Sequence, residues 1–282
     1  MIHGNPAALV DLLSLRPTDG EHLEAAQVPE ARSRVYGGQF LGQGVSAAGR
    51  KGRGALRSFH AYYLRPGATD AGISYRVAPL SDAIFNVSAT QRDRLLFLMM
   101  AAFGPFCPAP AFAMPDVPPP DACIPRERGI EGLDRNTDST WAVVDSPFDN
   151  RFVEDIWSEG YRQPRHHVWF RLRDLNTLPG PIDQVMMQAI TAYYADDTIM
   201  DNALFPHGWH RCWSELQTAS LDHAMWFHGP IDLRRWHLFA QDSPVAAGGR
   251  AMTRGTIFGD QGAVVATAAQ EILLREPPDG NP

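Results

Sequence analysis

Between Pro105 and Pro125 eight of 21 residues are proline, a density that removes backbone donors and blocks both a helix and a strand ladder. The stretch therefore reads as a linker that divides the chain into two comparable halves, and the two sides read alike. On the first side, VYGGQFLGQGVSAA (35–48) opens with paired glycines and then places Phe40, Leu41, Val45 and Ala48 on one helical face. Strand-like runs follow at 56–64, 73–77, 83–90 and 95–103. A shorter helical pattern, 7–15, precedes them, with Glu24, Ala25 and Ala26 leading into a polar turn. On the second side a strand at 167–172 leads to a strongly apolar helix, IDQVMMQAITAYY (182–194), opened by Pro181. Strand-like runs come next at 219–227, 236–241, 251–258 and 263–274, the last two joined by a tight turn at 259–262.

A central apolar helix followed by a meander of strands, present twice, predicts α+β layering with the helices on one face of a mostly antiparallel sheet. The natural candidate is a double hotdog: an N-terminal unit at 1–104, a proline-rich linker at 105–135 and a C-terminal unit at 136–282.

The bulk properties exclude several classes. A net charge of -7 argues against nucleic acid as the main partner, which would require a surplus of cations against phosphate. Cys107, Cys123 and Cys212 are odd in number and lack CxxC spacing, so neither a disulfide framework nor a zinc site is expected. No signal-like leader and no run of 18 apolar residues is present, and a cytoplasmic protein with no membrane partner is the expectation. His166, His167, His207 and His210 give no HExxH or paired Cys/His pattern, so the site is expected to hold no metal and no other cofactor. The GxGxxA match at 42–47 follows no clear strand and has no acid at the spacing a dinucleotide site needs. GVSAAG (44–49) is one residue too long for a nucleophile elbow.

Four segments carry a more specific signal: VYGGQ (35–39), SFHAYYLRPG (58–67), LDHAMWFH (221–228) and VATAAQE (265–271). With the helix ending YYADD (193–197), they resemble the acyl-CoA thioesterase II family in order and approximate spacing. The resemblance implies a double-hotdog enzyme that hydrolyses fatty acyl-CoA to a free fatty acid and CoA, as a homo-oligomer. An Asp, a Ser or Thr, and a Gln would orient a water against the thioester carbonyl. Carried over by residue, these are Asp197, Ser220 and Gln270. The neighbouring Asp196 reads as a solvated acid, although a negative charge at a helix C-terminus is disfavoured and suggests a purpose for at least one of the pair. Gly37, Gly38, Gln39 and His60 are the substrate-binding candidates. His223 and His228 read as packing residues, as strand histidines more often are.

Two departures from the family stand out. Ser220 replaces its usual Thr, keeping the hydroxyl without the β-branch. LSDAIF (80–85) stands where the family has an Arg-Asp-Gly turn, which bears on substrate preference. Two alternative functions are a hotdog enoyl-CoA hydratase, faintly suggested by Asp201 and His207, and a catalytically silent acyl-CoA sensor.

Overall fold

A computed structural model describes residues 5–18, 21–25, 34–107, 113–129, 131, 146–157, 160–175, 178, 180–208 and 216–276. Cys212 and His210 lie outside the described residues. Three helices of two or more turns are described: α1 (Pro6–Leu13), α2 (Gly37–Gly49) and α3 (Gln184–Thr198). The strands of the first half are β1 (Leu15–Pro17), β2 (His22–Ala25), β3 (Ala55–Tyr63), β4 (Ile73–Pro79), β5 (Ile84–Gln91) and β6 (Arg94–Gly104). Those beyond it are β7 (Ile124–Pro125), β8 (Phe148–Phe152), β9 (Arg165–Leu172), β10 (Gln217–Ser220), β11 (Asp222–Phe227), β12 (His237–Ala247), β13 (Arg250–Gly259) and β14 (Val264–Arg275).

All described strands belong to one antiparallel sheet, in the order β1-β2-β4-β5-β6-β3-β11-β14-β13-β12-β9-β8-β7, with β10 beside β14. The order contains a repeat. In each half the strand after the central helix pairs with the last strand, and the strands before the helix lie at the far edge. The halves meet where β3 pairs antiparallel with β11, Tyr62 opposite Asp222 and Ser58 opposite Trp226. Along β3 the side chains alternate as a half-buried strand requires. Phe59 and Ala61 point to the core, while His60 and Tyr62 are exposed on the outer face.

The inner face of this sheet wraps α2 and α3, which pack on one another. Small residues on α2 allow the approach. A Cβ at Gly42 would stand 2.9 Å from the Ala189 carbonyl oxygen, and one at Gly38 would overlap the Tyr193 carbonyl oxygen. The pairs run in opposite directions, so the start of α2 faces the end of α3. Tyr36 secures this end by donating its hydroxyl hydrogen to the Tyr193 carbonyl at 3.0 Å.

Several sequence expectations shift for identifiable reasons. The second helix begins later and ends later than its apolar run. Asp183 accepts the Met186 N–H at 2.8 Å and caps it, so Pro181 lies ahead of the cap rather than in the first turn. Its far end runs through Tyr193-Tyr-Ala-Asp-Asp197, placing both aspartates inside the helix. The strand expected at 219–227 is two strands, β10 and β11, separated by Leu221. The proline-rich stretch does enter the sheet at its end, where Pro125 sits in the edge strand β7, a position that needs no ladder donor from it. The segment 80–83 forms the β4–β5 hairpin turn, in which the Ser81 hydroxyl accepts the N–H groups of Ala83 and Ile84. That hairpin bonds to Phe103, whose ring covers Gly52 beyond the end of α2. It therefore lies at the opposite end of α2 from Gly37.

Candidate active site

The facing ends of α2 and α3 create a local electrostatic setting. A helix leaves its first N–H groups without intrahelical partners and carries partial positive charge there; its last turn carries partial negative charge. Tyr36 provides no side-chain cap to α2. Asp196, in the last turn of α3, is unfavourably placed with respect to its own helix but lies against the start of α2. A Cβ at Gly37 would be 2.5 Å from Asp196 Oδ2. The opposing dipole thus offsets the penalty, and the missing side chain at Gly37 makes room for the carboxylate.

Two side chains from the sheet converge on the other carboxylate oxygen. Gln270 Nε2, from β14, donates to Asp196 Oδ1 at 2.8 Å, and Ser220 Oγ, ending β10, donates to the same atom at 3.2 Å. Asp196 and Gln270 are 7% and 1% exposed, so this is a buried carboxylate held by charge-assisted hydrogen bonds. Tyr63 closes the floor, its hydroxyl donating to the Gly37 carbonyl at 3.2 Å. Burial, followed by the nearby Asp196 charge, holds the Tyr63 phenol well above its ordinary range.

Of the predicted triad, Ser220 and Gln270 come together, but the carboxylate they meet is Asp196. The helical period separates the two aspartates. Ala189, Tyr193 and Asp196 share the face turned to α2. Asp197 falls on the face of Ile190 and Tyr194, where the Tyr194 ring stacks on Phe170 at 3.9 Å between centroids and feels both the Asp197 and Arg126 charges. Extending the helix to Thr198 in the sequence would have exposed this distinction.

The binding candidates also divide. Gly37 and Gly38 form the α2 terminus beside the carboxylate. Gln39 turns its amide toward Gln43, at 3.5 Å, in a buried network in which Gln43 accepts the Tyr75 hydroxyl and donates to the Leu12 carbonyl. His60 lies on the outer face of β3, its ring edge-on to Trp226 at 5.3 Å between centroids. Strand alternation turns it away from the carboxylate, which sits under the inner face.

His223 is an unanticipated neighbour. It projects inward from β11, is fully buried, stacks on Phe59, and has Nδ1 4.0 Å from Asp196 Oδ1. Burial lowers its pKa to about 3, opposed by its interaction with Gln270. The ring is therefore neutral near pH 7.

The family of the chain follows from comparison with known proteins. Residues 26–104 match the model of the acyl-CoA thioesterase N-terminal domain, and 144–273 match the acyl-CoA thioesterase model. The chain is 29% identical over 287 residues to acyl-coenzyme A thioesterase 8 of Homo sapiens, covering 95% of this chain and 88% of that protein. A solved hotdog-fold protein from Alicyclobacillus acidocaldarius superposes with a TM-score of 0.74 at 17% identity, over 96% of this chain and 99% of that one, which places the fold among the hotdogs. An acyl-CoA thioesterase II from Mycobacterium marinum superposes with a TM-score of 0.76 at 30% identity, over 98% of this chain and all of that one. By fold and by these full-length similarities, the chain belongs to the acyl-CoA thioesterase II family.

Proposed function

We propose that the protein hydrolyses fatty acyl-CoA to free fatty acid and CoA, with Asp196 rather than Asp197 activating the water. One observation carries the assignment: Ser220 and Gln270 both donate to Asp196 Oδ1. The other oxygen, Oδ2, lies at the start of α2, beside Gly37. A water held there loses a proton to Asp196 as its oxygen bonds to the acyl carbon. The thioester carbonyl oxygen gathers negative charge, which the amides at the α2 terminus are suited to stabilise. Collapse of the tetrahedral adduct breaks the C–S bond and releases the CoA thiolate, to which the proton returns. A thioester is electrophilic enough that an oriented general base suffices, with no covalent nucleophile, metal or cofactor.

The repeated strand order supports reading the chain as two tandem hotdog units, 1–104 and 136–282, joined by 105–135. The site draws Gly37 from the first and Asp196, Ser220 and Gln270 from the second, so neither unit alone would be active. The outer sheet face carries exposed Tyr62, Ile84, Met100 and Trp226 across the β3–β11 seam, an apolar patch suited to pairing the chain into a homo-oligomer. Cys107 and Cys123 are free thiols, compatible with a cytoplasmic setting.

Thiol release from a panel of short to long saturated acyl-CoAs and one enoyl-CoA tests the proposal. Release that survives Asp197→Asn but falls sharply in Asp196→Asn and Gln270→Leu supports it. Loss in Asp197→Asn alone refutes the assignment of the base. Hydration of the enoyl-CoA without thiol release would favour the hydratase, although buried Asp201 and exposed His207 occupy different environments.

A further inference from the structure

Gln270 is useful to Asp196 only in one of its two amide orientations. With Nε2 toward the carboxylate it donates; flipped, it would set Oε1 against a negatively charged oxygen. While Asp196 is ionised the charge itself selects the productive orientation. Once Asp196 has taken the proton from water that selection weakens, in the step where the site must keep its shape.

A second restraint lies beside the amide. Ala224 is paired with Ala269, so His223 and Gln270 stand opposite one another on the inner faces of β11 and β14. Gln270 Oε1 is buried and has no hydrogen bond of regular geometry, and neither ring nitrogen of His223 has one. A buried acceptor and a buried donor left unpaired are each costly, which drives them together across the strand pair. The imidazole stacks on Phe59, with ring centroids 6.0 Å apart and planes at 28°. With its pKa lowered to about 3 by burial, the ring is a much weaker proton acceptor than an ordinary imidazole.

We infer that His223 is a positioning residue of the hydrolytic site: its ring N–H holds Gln270 Oε1 so that Nε2 stays on Asp196 throughout the proton transfer. This rests on the thioesterase reading above. In this role His223 acts through Gln270.

Steady-state thiol release by wild type, His223→Phe, His223→Asn, Gln270→Ala and the His223→Phe/Gln270→Ala double variant tests the role, with thermal melting of each. His223→Phe is expected to lower kcat about 10- to 100-fold with KM little changed, and His223→Asn, which retains an N–H donor, to recover most of that loss. In the Gln270→Ala background the Phe substitution should cost nothing further, because the group it positions is gone. A His223→Phe enzyme as fast as wild type, an equal loss in both backgrounds, or a loss confined to KM would each overturn the inference. Should His223→Phe not fold, His223→Asn decides: kcat near wild type supports the N–H role, and a large loss refutes it. Wild-type protein that releases no thiol from any acyl-CoA refutes the thioesterase reading itself.

Discussion

Gly37 and Asp196 are in contact across the two halves of the chain: a Cβ at Gly37 would stand 2.5 Å from Asp196 Oδ2, where the start of one helix faces the end of the other. The glycine is needed for what it leaves open. Gly37→Ala would displace the end of a side chain, which can rotate, rather than backbone. Activity should fall by at least about tenfold as the carboxylate leaves Ser220 and Gln270, while the melting temperature changes little. Kinetics beside a thermal melt would check this, and an alanine variant with full kcat would separate Gly37 from the site.

Gly38 should behave in the opposite way. Its added methyl would overlap the Tyr193 carbonyl oxygen and the Tyr36 ring, one of them backbone within a packed helix. Gly38→Ala must push α2 and α3 apart, and overpacking of this kind costs typically 1 to 3 kcal/mol. Denaturant unfolding should show a lowered midpoint, with activity lost only in proportion to the unfolded fraction and the disturbed contact.

Ser220 tests the value of the hydroxyl alone. Its bond to a carboxylate belongs to the stronger class, worth roughly 1.5 to 3 kcal/mol, so Ser220→Ala should lower kcat about 10- to 100-fold. Ser220→Thr keeps the hydroxyl and adds the β-branch that restricts its rotamer, and should match or exceed the parent. A threonine variant as slow as alanine would show that the strand end cannot hold the branched side chain.

How far the sequence reveals this site depends on the scale at which a feature is encoded. The paired glycines, the apolar helices and most long strands carry their own periodicity, so they can be read locally. The short strands β1, β2 and β8 have too few residues to show a period, and only their partners define them. Ser220 and Gln270 are identifiable by resemblance, but choosing between Asp196 and Asp197 requires knowing which face of α3 turns to α2. That follows from packing between two helices on opposite sides of the proline-rich stretch, as between Gly38 and Tyr193. His60 and His223 illustrate the same limit within strands: both lie in recognisable motifs, and only the register across β3 and β11 shows that one faces outward and the other inward.

The buried histidines make a prediction about acid. Burial lowers His223 to about 3 and His166 to about 4, both against an ordinary value of 6.5. His166 is embedded in a separate network, with Nδ1 3.1 Å from Asn202 Oδ1 and Gln241 Nε2 donating to Thr198 Oγ1 at 2.8 Å. Because the unfolded chain protonates these rings first, it binds more protons than the folded chain between the two values. Stability must therefore fall as pH drops below about 6.5, by ~1.4 kcal/mol per pH unit for each ring once the unfolded form is fully protonated. His223's share continues down to about pH 3 and that of His166 to about pH 4. Urea unfolding at a series of pH values from 7.5 to 5 would measure the slope, with the pH itself chosen to keep most carboxylates ionised. Replacing His166 by Asn should remove its proton from the slope and leave that of His223; an unchanged slope would mean that His166 titrates normally in the folded protein.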